Sequence, residues 1–447
     1  MMLMRLLICC GLLVSLAACI TTNDRVKKVN AVEACETQSF PWWLTLNDPL
    51  ATELVMQLQE QNLDIKMASA RVAQARGMAS SAKGALLPQI GLSGNAVRGN
   101  TATGAIKPTS IAQGGLDAAW ELDIFGATRA ATQAAEHRVE ASVANVQDIR
   151  NSVIAELMMA LVRLRQSQQE LSQTHLLLAA LHEQAELLAA QSKAGLTDAR
   201  ALKLAQGEHK QVAAGIPLIR AKIAASQYQI ERLLGKAEGS LGMEVLEYKE
   251  IEVPEANMLD QVSIDKIRKR PDVRSARAEL FAANADLAKA EADLWPKISL
   301  AAFYGAHKGS SSVPLAANPI WSVAASISAP MLEFGRLRGL VDAADAGAQQ
   351  AVLNYENVVL IGLEEARTAL SDYLSGLNAI CEQEQLLRHD QEALELAQKR
   401  FKHGLVDMVE LSAATAKMQR SKLLLISTKA EAVIAYILLQ KATGNCV

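Results

Sequence analysis

Trp120-Glu-Leu-Asp-Ile-Phe-Gly126 and Ala329-Pro-Met-Leu-Glu-Phe-Gly335 are the stretches on which the fold turns. In each, an alternating segment runs into a Phe-Gly pair, and a long helical pattern without proline follows. Phe125 and Phe334 stand 209 residues apart, as do Gly195 and Gly404, which break the helical pattern at its far end. Leu-Leu-Pro88-Gln-Ile and Leu-Trp-Pro296-Lys-Ile match at an offset of 208. Landmarks of three kinds that keep almost one offset indicate a duplicated unit. Its order is helix, strand, strand, long helix, tight turn, helix, which makes the chain mainly α with a small β part.

Outward from these stretches, four segments change to a period of two and predict strands at about 86–97, 114–125, 296–306 and 319–332. Leu116, Ala118, Trp120, Leu122 and Ile124 alternate with Gly115, Asp117, Ala119, Glu121 and Asp123. Trp321, Val323, Ala325, Ile327 and Ala329 alternate with Ser322, Ala324, Ser326 and Ser328. Each strand has one apolar face. Residues 98–112, rich in Gly, Thr and Asn, and Lys308-Gly-Ser-Ser-Ser312 read as exposed loops.

Residues 127–194 hold no proline, and at 1.5 Å per residue that helix is roughly 100 Å long. Leu157, Leu164, Leu171 and Leu178 recur every seven residues, as do Tyr373, Ile380, Leu387, Leu394 and Phe401. A seven-residue repeat means helices lying side by side as in a coiled coil, although Gln168, His175 and Ala185 interrupt the seam. Asn47-Asp48-Pro49 signals a helix running to about Lys83. Gly215-Ile-Pro217 is expected to kink or interrupt the helix that returns after Gly195 and ends at Leu234-Gly235. Arg270-Pro271-Asp272 opens another helix to Leu294, and the last helices are 336–402 and about 407–442. The expected divisions are a signal peptide at 1–18, a tether at 19–50 with Pro41-Trp42-Trp43 packed on the outside, repeat 1 at 51–235, a linker at 236–262 and repeat 2 at 263–447.

A net charge of −3 gives no electrostatic case for nucleic acid. No apolar run of about 20 residues follows the N-terminus, so no transmembrane helix is predicted. Arg5, the apolar Leu6 to Leu16 and the small Ala17 and Ala18 read as a secretory signal. Leu16-Ala-Ala-Cys19 resembles a bacterial lipobox, which implies cleavage before Cys19 and acylation of its thiol. Ile20 in place of aspartate then implies release to the outer membrane. Cys35, Cys381 and Cys446 remain in an oxidising compartment; a Cys35–Cys446 bridge is open, as are free, buried thiols.

No Walker loop, Gly-x-Ser-x-Gly elbow or His-Glu-x-x-His pair occurs, so no enzyme activity, cofactor or metal is expected. His175 and His182 share a helix face without a ligand-rich partner stretch, and read as interfacial or solvated side chains. Glu121 and Asp123 alternate with apolar residues, which suits a water-filled lumen better than paired catalytic acids.

Four strands cannot close a barrel, and an open edge is not tolerated in lipid. Either they form a small soluble sheet, or several chains share one barrel; three chains would give twelve strands, an even count of permitted size. Here Glu121-Leu-Asp-Ile-Phe-Gly126, Gly335-Arg-Leu-Arg338, Arg270-Pro-Asp-Val-Arg-Ser-Ala-Arg277 with Ala292-Asp-Leu-Trp-Pro-Lys-Ile298, Gln61-Asn62-Leu-Asp64 and Arg71-Val-Ala-Gln-Ala75 resemble the TolC-like outer membrane efflux factors, most of all the lipoprotein NodT-type branch. The resemblance covers about residues 47–445. It implies a homotrimer with a twelve-stranded barrel in outer membrane lipid, continued by a periplasmic α-helical barrel. It implies a passive duct exporting small molecules such as drugs or toxic compounds, fed by a periplasmic adaptor and an inner membrane pump of the RND type.

Under that reading Trp120, Leu122, Val323 and Ile327 face lipid, and Glu121, Asp123 and Ser326 face the lumen. Phe125, Gly126, Phe334 and Gly335 mark the strand-to-helix junctions. Gly195, Leu196, Thr197, Gly404, Leu405 and Val406 are the tips at which an adaptor docks. Asp407 and Glu410 are the candidate periplasmic gate, with Ala413 where a further Asp is common. The competing reading is a periplasmic coiled-coil lipoprotein scaffold without a pore.

Overall fold

The computed structural model describes residues 41–99, 109–237, 239–241, 249–254, 263–309 and 318–444. The expected signal peptide, Cys19, Cys35 and Cys446 lie outside them. The first half contains a 3₁₀ turn (Trp42–Leu46), α1 (Pro49–Gln61), α2 (Leu63–Gly84), β1 (Gln89–Gly99), β2 (Thr109–Leu122), α3 (Ala127–Lys193) and α4 (Ala199–Leu233). The second contains α5 (Ile264–Arg268), α6 (Pro271–Ala292), β3 (Lys297–Gly309), β4 (Asn318–Ser328), α7 (Arg336–Lys402) and α8 (Met408–Ala442). Both long helices have 67 residues and both return helices 35, and each pair is displaced by 209.

The backbone repeats with the sequence. Gly126 and Gly335 have φ of +87° and +89°, Gly195 and Gly404 both +70°, and Gly235 and Gly444 +65° and +66°. At the tips this left-handed conformation ends a long helix, and an L side chain would resist it.

The strands form one antiparallel sheet in the order β1-β2-β3-β4, with β2 and β3 joining the two halves. The helices nearest the sheet follow the same order: α2 packs on α3, α3 on α6 and α6 on α7. Among the described residues no ladder joins β1 to β4. Both layers are therefore open rows.

The main core lies about halfway down α3, where Ile154, Leu157, Met158 and Leu164 meet Leu58 of α1, Ile230 of α4, Tyr373 of α7 and Ile437 of α8. Burial, with Tyr436 beside it, pushes the Tyr373 phenol up to about 12, and it donates to the Pro254 carbonyl. Each half also sends one buried polar side chain to the end of its own return helix. Asn62 Nδ2 donates to Leu233 O (2.8 Å), and Arg270 Nη1 donates to Ala442 O (3.0 Å). The two acceptors are themselves 209 residues apart. Helix ends leave such carbonyls without internal partners, so these residues lock the hairpins to the core.

Several expectations are corrected. The first helix is broken at Asn62, whose side chain also accepts from Ile65 N and starts α2. Pro217 lies inside α4 without ending it; the residue is exposed, so the carbonyl it leaves unbonded can be hydrated. Trp42, Trp43 and Leu46 are buried in the main core, not laid on its outside. Asp48 caps α1 and faces Arg165 at 3.6 Å, Asn47 bonds Glu252 (2.9 Å), and Thr45 meets the Tyr436 hydroxyl (2.9 Å). β2 begins at Thr109, inside the expected loop, and β4 stops at Ser328. Cys381 is free and exposed. By length and composition α8 could cross a membrane, yet Val433, Tyr436, Ile437 and Leu439 on it are buried in the protein.

Candidate channel wall, junctions and tips

The ladders give the sheet two unlike faces. Ile90, Leu92, Leu116, Ala118, Trp120, Leu122, Ile298, Leu300, Ala302, Tyr304, Trp321, Val323, Ala325 and Ile327 are joined by direct cross-strand pairing and share one face. Leu92 is 84 % exposed, Trp321 75 %, Val323 72 % and Ile327 71 %. A water-facing sheet does not carry an apolar surface of this extent. From the Leu122 row to the Gly114 row it runs about 27 Å along the strand, close to the apolar band of an outer membrane barrel. The other face carries Gln89, Asn95, Gln113, Glu121, Ser299 and Ser326; Lys297 reaches Glu121 at 3.7 Å, and the Ser299 and Ser326 hydroxyls bond at 2.8 Å. On this face the Phe303 ring lies over Gly115 and Gly305, where an added Cβ would come within 2.7 Å of it.

Asp123 is not part of that wall. β2 ends at Leu122, and Asp123 turns back to accept from Thr128 N (3.1 Å) and Arg129 N (2.8 Å), with Arg129 Nε at 3.1 Å. Burial pushes its carboxyl up, but the Arg129 and Thr128 amides and the Arg129 guanidinium outweigh this and hold it below the usual value. It thus caps α3, whose first position, Gly126, has no side chain to do so.

The two junctions differ. Phe125 stacks on Trp295 with centroids 5.3 Å apart and planes 13° apart. Phe334 is 93 % exposed and has φ of +47°, rare outside glycine. Leu332 stands where the first half has Asp123, so the start of α7 has no comparable cap. Between the end of α6 and the β4–α7 segment lies a cavity of about 600 Å³, lined by Trp295, Lys297, Met331, Leu332, Arg336 and Leu340 among others. In the first half Trp120 Nε1 donates to Leu86 O (2.9 Å); the residue at the matching position in the second half is Ala329, which lines this cavity.

At the opposite ends of α3 and α7, Leu196 and Leu405 project from the turns, 78 % and 68 % exposed. Asp198 accepts from Arg200 N (3.1 Å) and Asp407 from Glu410 N (3.0 Å), so both cap a return helix. Asp407 and Glu410 are thus brought together, and Glu410 Oε1 also pairs with Arg400 Nη1 across the turn at 3.2 Å. Above the second tip, buried Asp390 accepts from the Ser421 hydroxyl (2.5 Å) and faces Lys417 Nζ (2.9 Å). Its spacing of seven from Gln383 and Ala397 is the signal in the sequence that places this carboxylate in a seam. His182 lies beside Glu186 (3.2 Å) and faces His209 on α4 (centroids 5.5 Å apart), not His175. Among the described residues, no group of three or more His, Cys, Asp or Glu side chains is placed to hold a metal.

A family model described as "Outer membrane efflux protein" matches residues 54–236 and 265–445. Nodulation protein T of Rhizobium leguminosarum bv. trifolii is 28 % identical over 408 residues, spanning 90 % of this chain and 87 % of that protein. Pyoverdine export outer membrane protein OpmQ of Pseudomonas aeruginosa is 27 % identical over 383 residues, 80 % of this chain and 76 % of its own. The solved structure of the outer-membrane channel OprN superposes with a TM-score of 0.84 at 26 % identity, covering 95 % of this chain and 98 % of that one.

Proposed function

The chain belongs to the outer membrane efflux protein family and is the outer membrane channel of an efflux system, and from that premise we propose that it works as a homotrimeric passive duct. Three copies close the open sheet into twelve strands and the open helical row into a periplasmic tunnel. A periplasmic adaptor docks at the turns Gly195–Thr197 and Gly404–Val406, and an inner membrane pump of the RND type loads the cargo. The cargo is small organic molecules, and the pump selects them. Cys19 carries the lipid anchor. Asp407 and Glu410 from three copies form a carboxylate ring at the periplasmic entrance. The role is transport, with no bond made or broken.

One observation carries this reading: a four-stranded sheet with one continuous apolar face and one polar face, open at both edges and continued by paired 67-residue helices. A scaffold without a pore would leave that apolar face in water. The test is purification from outer membranes followed by recording in planar bilayers. Heat-modifiable trimers with ion conductance are expected. A water-soluble protein, or trimers that conduct nothing, would support the scaffold.

A further inference from the structure

Each long helix and its return helix form a hairpin, and the two hairpins are pinned differently at the same level. In the second, buried Asp390 of α7 faces Lys417 of α8 at 2.9 Å and accepts from Ser421. An offset of 209 carries Asp390 and Lys417 back to Leu181 and Glu208, which cannot repeat that pair. One residue further along each helix of the first hairpin, His182 of α3 faces His209 of α4, with ring centroids 5.5 Å apart and planes at 43°. The matching positions in the second hairpin are Gln391 and Met418. His182 stands 13 residues before Gly195 and His209 14 after it, so the pair lies about 20 Å above the tip.

We propose that His182 and His209 bind a divalent transition-metal ion of the zinc, copper or nickel type, and that the bound ion staples α3 to α4. An imidazole nitrogen binds zinc at about 2.0–2.1 Å, so two rings on one ion have centroids about 4.5–5.5 Å apart for ligand angles of about 90–120°. The observed separation falls at the upper end of that range. Glu186 Oε1 lies 3.2 Å from His182 Nε2. A histidine ligand commonly gives its second ring N–H to a carboxylate, which fixes the tautomer and raises the basicity of the ligand. Here the bond to Glu186 leaves Nδ1 of His182 with the free lone pair. His182 is exposed and His209 half-buried, so an ion reaches them from solvent. Imidazole suits these metals, whereas magnesium and calcium take oxygen ligands. Among the described residues no third His, Cys, Asp or Glu is in place, so water completes the shell and the ion is exchangeable. A cation held by both rings gives the first hairpin the cross-link that the second already has. Both ligands come from one copy, so the site is independent of the trimeric reading.

Zinc titration tests the site. The parent for this experiment is the full chain with Cys35, Cys381 and Cys446 replaced by serine, purified in detergent so that no thiol competes. Isothermal titration with zinc chloride at neutral pH should show one ion bound per chain. Glu186→Gln, which removes only the supporting carboxylate, should bind about tenfold more weakly. His182→Gln and His209→Gln should each bind more weakly still, while His175→Gln, one heptad away on α3, should match the parent. Zinc should also raise the temperature at which the parent unfolds and leave that of His209→Gln unmoved. One measurement needs no histidine variant: an equivalent of copper(II) added to the parent should give an electron paramagnetic resonance spectrum with at least two nitrogen ligands. Zinc that does not bind, binding that His182→Gln and His209→Gln leave unchanged, or a copper spectrum with fewer than two nitrogens overturns the site. Histidine variants that unfold at lower temperature by the same amount with and without zinc overturn it too, and assign the pair to packing alone.

Discussion

Replacing Val323 with arginine should empty the outer membrane of assembled protein, whereas the same change one residue later should not. Val323 lies in the third of five rows of the apolar face, opposite Ala302, and is 72 % exposed in the single chain. Ala324 pairs with Ala301 on the polar face. An arginine facing lipid near the bilayer midplane costs about 2–4 kcal/mol. Three copies per barrel bring that to about 6–12 kcal/mol, comparable with the whole net stability of many folded domains, about 5–15 kcal/mol. Arginine in place of Ala324 would project into water. The assay is the fraction of heat-modifiable trimer in outer membranes, read by gel against total protein. Val323→Arg should leave little trimer and Ala324→Arg should stay close to the parent. Equal losses, or a greater loss for Ala324→Arg, would refute the assignment of faces.

Four further outcomes are expected. Cys19→Ser should abolish acyl labelling, since a lipid chain needs that thiol; mass spectrometry finding an unmodified N-terminal Cys19 in the parent would refute the anchor. Glu410→Ala should reduce cation selectivity and multivalent-cation block in bilayer recordings; unchanged behaviour in both Glu410→Ala and Asp407→Ala would remove the gate and leave the duct. Arg270→Ala should destabilise the protein by about 1.5–3 kcal/mol, the worth of a hydrogen bond to a charged group, because it leaves the Ala442 carbonyl without its donor while Asp272 and Glu365 stay partly solvated; chemical denaturation measures it, and a loss of about 0.5 kcal/mol or less would show that the cluster is not tightly coupled. Burial raises Asp390, but Ser421 and Lys417 outweigh this and hold it below the usual carboxylate value. Its contribution is therefore present above about pH 4 and lost as pH falls through its lower folded value. Asp390→Asn should narrow the gap in melting temperature between pH 7 and pH 3, and an unchanged gap would refute the assignment.

What the sequence disclosed was local or periodic. The tips are readable because glycine ends the long helix and an aspartate caps the next within four residues, and the strand faces because alternation repeats at every second position. What it concealed depended on partners far along the chain. Asn62 looks like an ordinary helical residue until its side chain is seen on Leu233 O, 171 residues away. Trp42 and Trp43 lie in a stretch without periodicity, and only α3 and its neighbours make them core. Pro217 signals a break by its missing amide hydrogen and its crowding of the preceding turn, while its exposure decides that the lost bond can be replaced by water. Asp123 continued the alternation of β2 by one residue and was read with it, although the strand had already ended and the start of α3 needed an acceptor.

The length of α7, combined with the way it starts, has a mechanical consequence. Sixty-seven residues make α7 about 100 Å long, but buried Tyr373 holds it in the main core near mid-length, so a tilt of about 3° about that point moves its tip by about 2 Å. α3 is clamped at its root by Asp123 and by the stacking of Phe125 on Trp295, while α7 springs from Phe334-Gly335 with no such cap. The core thus grips both long helices near mid-length, while the strand-side start of each is held differently, by a side-chain cap and a ring stack in α3 and by neither in α7. A bend at the tip is then levered from the core, about half a helix length away, and not from the strand junction.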